Sequence, residues 1–167
     1  DKNIPCDRLA LAFLSPYGDV TAESAVTDLN VLHLEPGFVE PISETTLDEI
    51  VSSGYPRIIN DLETHLQSVH QSKATELIIN EGLKSSLTAP IIINGKTIGF
   101  LFINSLQREA YNKHHIYHAL QLVNPLRQNI YYQYLIQQII AETAKSFVIL
   151  MAKKDNETSL HITRMSL

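Results

Sequence analysis

Two apolar runs flank Asn94-Gly95 and give the clearest pattern of hydrophobic and polar positions in the chain. Asn-Gly suits a type I′ turn best, because both central residues of that turn need positive φ. The pattern predicts a two-residue β-hairpin over Ser85–Ser105, in which Ile91 pairs with Ile98 and Phe102 lies on the opposite face from Thr88. The second strand is apolar on both faces from Ile98 to Ile103, which predicts a central strand covered on both sides.

Pro90 lies within the first strand of this hairpin and has no N–H to give to a neighbouring strand. In a two-residue hairpin the missing donor points away from the partner strand. The strand is therefore expected to lie at a sheet edge or to carry a bulge there. The small residues Ser86, Thr88 and Gly99 leave room for a closely packed helix or a small ligand.

Shorter patterns predict the elements that precede the hairpin. A Thr N-cap signal introduces a short helix over Thr45–Val51, and Gly54 is its stop. Asp61–Gly82 has a weak helical pattern. The expected strands and extended segments are Asp7–Leu14, Val20–Val26, Asn30–Leu34 and Arg57–Asn60.

The C-terminal part predicts one long helix that Asn112 can cap. Pro125 removes one backbone hydrogen bond, so a kink is expected near Gln121–Asn124. Beyond Ile130 the sequence stays apolar with few charges, so this tail is expected to form a homodimer or to lead into another domain. Apolar residues at helical spacing form the expected inward stripe: Ile116, Ala119, Leu120, Val123, Leu126 and Ile130.

Composition narrows the class of protein. The 167 residues, 44% of them hydrophobic, suit one globular domain plus an appendage. A formal charge of −5 argues against a nucleic-acid partner. No apolar run approaches the roughly 20 residues of a membrane span, so no membrane is expected. Cys6 is the single cysteine, which favours a reducing, cytoplasmic location. A start without Met suggests a piece of a longer protein.

Four segments resemble, in their order and spacing, the landmarks of a GAF domain. The resemblance covers about residues 5–130 and implies an α+β, PAS-like fold. In that fold, helices lie on one face of an antiparallel sheet of five or six strands and a ligand pocket lies on the other, with a long C-terminal helix. The segments are Cys6–Leu11 (CDRLAL), Ser53–Asp61 (SGYPRIIND), Leu87–Ile91 (LTAPI) and Lys96–Leu101 (KTIGFL).

The resemblance also implies which residues bind a small molecule. Arg57, Asn60 and Asp61 cluster where a GAF pocket is usually closed, and an arginine there can clamp an anion. A strand-end turn in which Asp61 caps the next helix explains these residues equally well. Strand hydroxyls are more often ordinary sheet residues. The other predicted ligand-binding residues lie on the hairpin: Ser86, Thr88, Phe102 and Asn104.

Departures from known GAF subtypes restrict the ligand, whose identity stays open. Members that bind cyclic nucleotides carry Asn-Lys…Phe…Asp-Glu after the last strand, whereas this chain has Asn104-Ser105…Tyr111. Cys6 is badly placed to carry a bilin, and one cysteine is too few for methionine-sulfoxide reduction. Without an evident base or resolving cysteine, Cys6 does not support thiol catalysis either. His114 and His118 are four residues apart on a helix, a spacing that suits a metal site. They lie on the side opposite the apolar stripe of the helix, so ordinary exposed histidines are the favoured interpretation.

Residues 154–164 (KDNETSLHITR) resemble the opening of an HD or HD-GYP phosphodiesterase domain, reached through a connecting helix over residues 131–153. In that family, Glu157 and His161 would share a divalent metal in the complete parent protein. An exposed Glu–His pair favoured by the helix dipole is the alternative. Two ligands cannot close a catalytic shell, so residues 154–167 are expected to be a truncated domain without metal or activity.

The leading interpretation is a cytosolic sensory or regulatory module, not itself an enzyme and without a cofactor. It binds a small molecule of unknown identity and signals through its C-terminal helix to an output domain. One alternative is the N-terminal part of a metal-dependent cyclic-dinucleotide phosphodiesterase of the HD-GYP type. The other is a dimerisation module whose pocket is filled by its own side chains.

Overall fold

The hairpin around Asn94-Gly95 forms part of a six-stranded antiparallel sheet in the computed structural model. The structure describes residues 4–68 and 72–165, with side chains as far as residue 154. The sheet order is β3-β2-β1-β6-β5-β4. The strands are β1 (Arg8–Leu14), β2 (Asp19–Thr27), β3 (Val39–Pro41), β4 (Arg57–Ile59), β5 (Ser85–Ile93) and β6 (Lys96–Ser105).

Within the described residues, four α-helices and one short 3₁₀ turn accompany the sheet, so the predicted α+β class is confirmed. Gly54 ends the first helix in the left-handed conformation, with φ of 70°, as the sequence predicted. The predicted threonine N-cap was wrong, because the N-cap residue of this helix is Leu47, whose side chain makes no capping hydrogen bond. The elements are the turn Ile42–Glu44, α1 (Asp48–Ser53), α2 (Leu62–Ser68), α3 (Lys73–Asn80) and α4 (Lys113–Met165).

The hairpin turn is as predicted, but the register beyond it is not. Asn94 and Gly95 both have positive φ, as a type I′ turn requires. An irregularity between Ile91 and Ile92 then shifts the pairing, so that Ile91 faces Gly99 and not Ile98. The bulge inserts one extra residue into β6. A shift of one residue moves side chains to the other face of a strand, and this exchanges the predicted partners.

The shifted register changes which side chains share a face. Thr88 pairs with Phe102, and Ser86 pairs with Asn104. Directly opposite residues of an antiparallel pair point to the same side of the sheet. The prediction that Phe102 lies on the face opposite Thr88 was therefore wrong, and the bulge brings four of the predicted ligand-binding residues together.

Of the two alternatives expected from Pro90, the sheet edge is present locally and the bulge in its own strand is not. The edge strand β4 pairs with β5 only from Ser86 to Thr88, so the ladder on that side stops before Pro90. The bulge beside Ile91 has its extra residue in β6. Because β4 does not reach Pro90, the missing N–H of Pro90 costs no hydrogen bond to β4.

The central strand β6 lies between β1 and β5, as its two apolar faces predicted. One core cluster on this sheet consists of Ala12, Val20, Leu47, Ile50 and Phe100. A second cluster, formed by Leu62, Ile78 and Leu83, joins α2 and α3 to the start of β5. Burial of apolar side chains, in these clusters and elsewhere on the sheet, supplies the main favourable free energy of folding.

Helix α4 continues through Pro125, and Asn112 caps it as predicted, since the Asn112 side chain accepts from the His114 N–H at 2.9 Å. Ala119 and Val123 of the predicted stripe are buried. Leu126, however, is 48% exposed, and nothing in the structure explains why it departs from the stripe.

The chain forms two compact units, residues 1–131 and residues 132–167. The second unit is the rest of α4, and its apolar side chains are largely exposed. They include Ile136, Ile139, Ile140 and the run from Phe147 to Met151. By length and composition alone, the helix within Lys113–Lys154 is apolar enough to cross a membrane. This is weak evidence for a span, because buried helices of soluble proteins meet the same criterion.

Replacing Gly99 tests the close approach of β6 to β1. A Cβ there would lie 2.3 Å from the Ala12 carbonyl oxygen, which belongs to the backbone and cannot turn away. Gly99→Ala should lower the free energy of unfolding by about 3 kcal/mol or more in denaturant titrations. Gly95→Ala is the control, since its Cβ meets nothing within 4 Å and only the positive φ of 76° costs about 1 kcal/mol. Equal losses in both variants would contradict this packing.

Candidate ligand-binding site

A cavity lies on one face of the sheet, beside α2 and α3. The volume open to the centre of a water molecule is about 100 Å³. Alternate residues of β1, Arg8, Ala10 and Ala12, form part of its wall, and Ala22 and Ala25 of β2 continue it. The small alanine side chains leave the space, and Phe38, Leu34 and Phe102 make the wall largely apolar. Such an apolar cavity with a few polar groups is typical of small-molecule sites.

Most of the predicted ligand-binding residues line this cavity. Arg57 comes from β4, Ser86 and Thr88 from β5, and Phe102 and Asn104 from β6. Strand pairing accounts for their proximity, because Arg57 lies opposite Thr88 and Thr88 lies opposite Phe102. Their role as ligand contacts stays a prediction.

Asn60 does not line the cavity, although it was predicted with this set. Its side-chain amide donates to the Tyr111 carbonyl at 2.9 Å and accepts from the Tyr111 N–H at 3.1 Å. In addition, its own carbonyl accepts from the Glu109 N–H at 3.0 Å. Asn60 therefore ties the end of β4 to the loop that leads into α4.

Asp61 does not line the cavity either. It caps α2, accepting from the Thr64 N–H at 3.1 Å, and it pairs with Arg108. The hydrogen bond from Thr64 and the charge of Arg108 lower the pKa of its carboxyl group. These contacts match the capping alternative that the sequence left open.

A buried ion pair that the sequence did not reveal forms one side of the cavity. Arg8 is only 2% exposed, and its Nε lies 3.1 Å from Oε2 of the fully buried Glu81 side chain. The two atoms are within ion-pair distance but outside hydrogen-bond geometry. Burial lowers the pKa of Arg8, and the charge of Glu81 opposes that shift. No short-range pattern links residues so far apart in sequence, so only the fold brings them together.

The Arg8–Glu81 pair is the centre of a wider polar network. Arg8 also donates to Oδ1 of Asn104 and to the Leu34 carbonyl, both at 3.3 Å. Asn104 in turn donates to Oγ of Ser86 at 2.9 Å. Glu81 Oε1 accepts from the backbone N–H groups of His33 and Leu34, both at 2.8 Å. The network joins β1, β5, β6, the residue after α3 and the loop before β3.

Glu40 is a second buried carboxylate, which lines the cavity directly, and it was also missed. Its oxygens accept from the Lys73 N–H at 2.6 Å, the Ser72 hydroxyl at 2.9 Å and the Ala74 N–H at 3.4 Å. A carboxylate is stable at a helix N-terminus, because the free N–H groups and the helix dipole favour negative charge there. Glu40 thus anchors the start of α3 to β3.

Arg57 is the second arginine of the lining, and its partners are weaker. Its Nη1 donates to the Thr46 carbonyl at 2.6 Å and lies 3.5 Å from Oε2 of Glu49, which is 68% exposed. Its Nε is buried without a hydrogen-bond partner among the described residues. Burial lowers the pKa of Arg57, and Glu49 opposes that shift. Burial and the charge of Arg57 also lower the pKa of His65, which contacts Oγ1 of Thr46 at 3.2 Å.

The other residues considered for chemistry lie apart from this cavity. Cys6 is exposed, and partial burial of its sulfur together with the charge of Asp7 raises the pKa of its thiol. His114 is exposed, as its helical phase indicated. The described residues contain no group of three His, Cys, Asp or Glu side chains placed to hold a metal. Glu157 and His161 lie outside the residues whose side chains are described.

The comparisons with known proteins agree with this geometry. A family model described as a GAF domain matches residues 7–130, which is most of the chain. The chain belongs to the GAF domain family. The segments recognised in the sequence therefore led to the right family. A comparison with curated proteins gives no match.

Solved structures share the fold at low sequence identity. The GAF domain of a two-component sensor histidine kinase from Bacillus halodurans is 19% identical, with a TM-score of 0.64 over 78% of this chain and 85% of that one. The phycocyanobilin-bound GAF domain of a cyanobacterial phytochrome is 20% identical, with a TM-score of 0.60 over 78% and 77%. The GAF domain of a phosphoenolpyruvate-protein phosphotransferase from Coxiella burnetii is 16% identical, with a TM-score of 0.60 over 76% of this chain and 73% of that one.

Two substitutions, each of which neutralises the carboxylate paired with one arginine, test how much stability depends on the partners of Arg8 and Arg57. Glu81→Gln leaves a buried guanidinium without its counter-charge, so it should lower the free energy of unfolding by about 3 kcal/mol or more. Glu49→Gln removes an exposed partner and should change it by about 0.5 kcal/mol or less. Denaturant unfolding of both variants measures the difference. Comparable losses would show that Arg8 does not depend on Glu81.

Proposed function

We propose that this GAF domain is a sensory or regulatory module that binds a small molecule in the cavity beside Arg57, Thr88 and Asn104. The observation that carries the proposal is the cavity itself, apolar over most of its wall and bordered by a few polar side chains. Sites of this kind bind small ligands by excluding water from an apolar body and orienting it through few hydrogen bonds. The chain binds the ligand without transforming it.

The known structures support a sensory role without fixing the ligand. One similar domain comes from a sensor histidine kinase, and another is described with bound phycocyanobilin. A bilin is an unsuitable ligand here, because an open-chain tetrapyrrole is several times larger than a cavity of about 100 Å³. Cys6, the single cysteine, is also absent from the cavity lining.

The contacts of Asn60 provide a route from the cavity to the last helix. Arg57 lines the cavity, and Asn60 follows directly on β4. Two hydrogen bonds then join Asn60 to Tyr111, which lies just before α4 begins at Lys113. A ligand that binds one position of β4 better than another would shift the population of α4 positions by its differential affinity. The output domain that receives this signal would follow α4 in the complete protein.

The exposed tail of α4 supports a homodimer. Ile139 and Phe147 are 64% and 63% exposed, and neighbouring side chains of the tail are exposed to a similar extent. Monomeric soluble proteins rarely expose apolar surface of this length. A second copy of the helix would cover it through a symmetric interface that includes parts of Ile116–Leu150. The cytosolic location remains an inference from the single cysteine.

Native mass spectrometry of the purified protein tests the ligand. We expect a co-purified small molecule in the wild type. Ala10→Leu should reduce its amount about tenfold or more, because three added carbon atoms occupy a cavity lined by alanines. Ala144→Leu adds the same atoms at an exposed position of α4 and should retain the molecule. Equal occupancy in the two folded variants would place the ligand elsewhere.

Sedimentation velocity at micromolar concentration tests the dimer. Phe147→Lys puts a charge into the proposed interface and should turn the dimer into a monomer, since an unpaired charge is costly to bury. Gln138→Lys adds the same charge on the side of the helix opposite Phe147, and it should weaken the dimer much less. A wild-type protein that stays monomeric with α4 helical would contradict the proposal.

A further inference from the structure

The charged side chains around the cavity indicate which ligand charge it can accept. Two arginines, Arg8 and Arg57, carry the positive charge of the described lining, and Glu40 carries its negative charge. Burying a charge in an apolar cavity is costly unless a partner of opposite sign or several hydrogen bonds compensate for it. The three groups differ in how far the protein itself compensates for their charge.

Arg8 and Glu40 are compensated within the chain. Arg8 faces the fully buried carboxylate of Glu81 and donates to Asn104 and Leu34. Glu40 accepts three hydrogen bonds from the first residues of α3 and its cap, so a cation would have to compete with them. Arg8 therefore has its counter-charge within the chain, and the oxygens of Glu40 are already occupied by neutral donors.

Arg57 is different, because no buried carboxylate matches its charge in the described part of the chain. Its ion-pair partner Glu49 lies 3.5 Å away and is mostly exposed, and pairs of that kind contribute little. Its Nε is also a buried side-chain nitrogen with neither a hydrogen bond nor an ion-pair partner among the described residues, so the guanidinium is incompletely paired. An incompletely paired guanidinium in the lining is costly, and an anion bound to it would reduce that cost.

The size and wall of the cavity limit the rest of the ligand. An apolar cavity of about 150 Å³ is known to hold benzene, so about 100 Å³ suits a body of about four or five carbon atoms. The wall near Arg57 consists of Phe102, Ile59 and the alanines of β1 and β2. Such a wall favours branched aliphatic groups over sugars or other polar bodies, whose hydroxyls would lose their water partners.

We infer that the ligand of this cavity is a small aliphatic monocarboxylate whose carboxylate binds Arg57 and whose branched apolar body lies against the alanines and Phe102. The inference rests on the proposed function, which assigns a small molecule to the cavity. A dianion such as phosphate would leave one charge unmatched. An amino acid would bring an ammonium group that must compete with three hydrogen bonds for Glu40, the carboxylate of the described lining.

Calorimetric titration with two molecules of the same shape tests this inference. The probes are 3-methylbutanoate and its neutral amide, 3-methylbutanamide. In the wild type the carboxylate should bind about tenfold to a hundredfold more tightly, since a hydrogen bond to a charged group contributes more than one between neutral groups. This comparison needs no variant and is independent of any folding defect.

Two arginine variants assign the preference to its residue. In Arg57→Gln the ratio of the two affinities should fall to about one, because the charge is lost while a side-chain amide remains. Arg108→Gln is the matched control, since Arg108 pairs with Asp61 and Glu63 and does not line the cavity. It should keep the wild-type ratio. Circular dichroism establishes that each variant is folded before titration.

The imidazole of His65 gives a second readout in the wild-type protein. Burial and the charge of Arg57 lower its pKa, whereas Glu49 raises it. A carboxylate bound to Arg57 would offset the arginine's charge, so the pKa of His65 followed by NMR should rise when 3-methylbutanoate is added. The neutral amide should leave it much closer to its value in the free protein.

Several outcomes would overturn the ligand class. They are equal binding of both probes, tighter binding of the amide, a ratio that survives Arg57→Gln, and no binding of the carboxylate. If the amide alone binds and Ala10→Leu abolishes it, the cavity is still a ligand site and only the assigned class fails. If neither probe binds, the class fails, and the proposed function is decided by whether Ala10→Leu loses the co-purified molecule.

Discussion

The buried pair of Arg8 and Glu81 is the interaction on which the rest of the structure depends. It joins the first strand to the residue that follows α3, and its further hydrogen bonds reach β6, β5 and the loop before β3. Two charges taken out of water are tolerated only when each finds its partner and its remaining hydrogen bonds. The network therefore fixes the relative positions of the elements that enclose the cavity, and it forms only when all of them are in place.

With one arginine held in this way, the second becomes available for a ligand. Arg57 stands on the edge strand β4, which pairs with β5 over just three residues. Its nearest carboxylate is at the surface, whereas Arg8 has a buried one. The proposed anion site rests on this contrast between a saturated and an unsaturated arginine, and the hydrogen bonds of Asn60 to Tyr111 join the end of β4 to the start of α4.

The sequence predicted the local elements best, because their causes are local. The Asn94-Gly95 turn, the central position of β6 and the stop at Gly54 depend on neighbouring residues, and all three are present. The register beyond Ile91 was missed, since a bulge depends on how two whole strands pack.

The site was predictable only in part, for the same reason. Arg57 was found through resemblance to the family, whereas Thr88 and Asn104 were found as small or polar side chains on the hairpin strands, and all three line the cavity. Arg8 and Glu81 are 73 positions apart in the chain, so no periodicity or spacing could join them. Asp61 was predicted together with Arg57, but its side chain caps the next helix, α2, and does not line the cavity. The resemblance of residues 154–164 to a phosphodiesterase domain stays a prediction, outside the described side chains.

The central claim is that the cavity beside Arg57 holds a small ligand, and a crystal structure of the protein as purified tests it most directly. The account predicts electron density for a compact molecule between Phe102 and the alanines of β1 and β2, within hydrogen-bond distance of the Arg57 guanidinium. A cavity filled by the protein's own side chains, with Arg57 Nε bonded to a protein carboxylate, would contradict it.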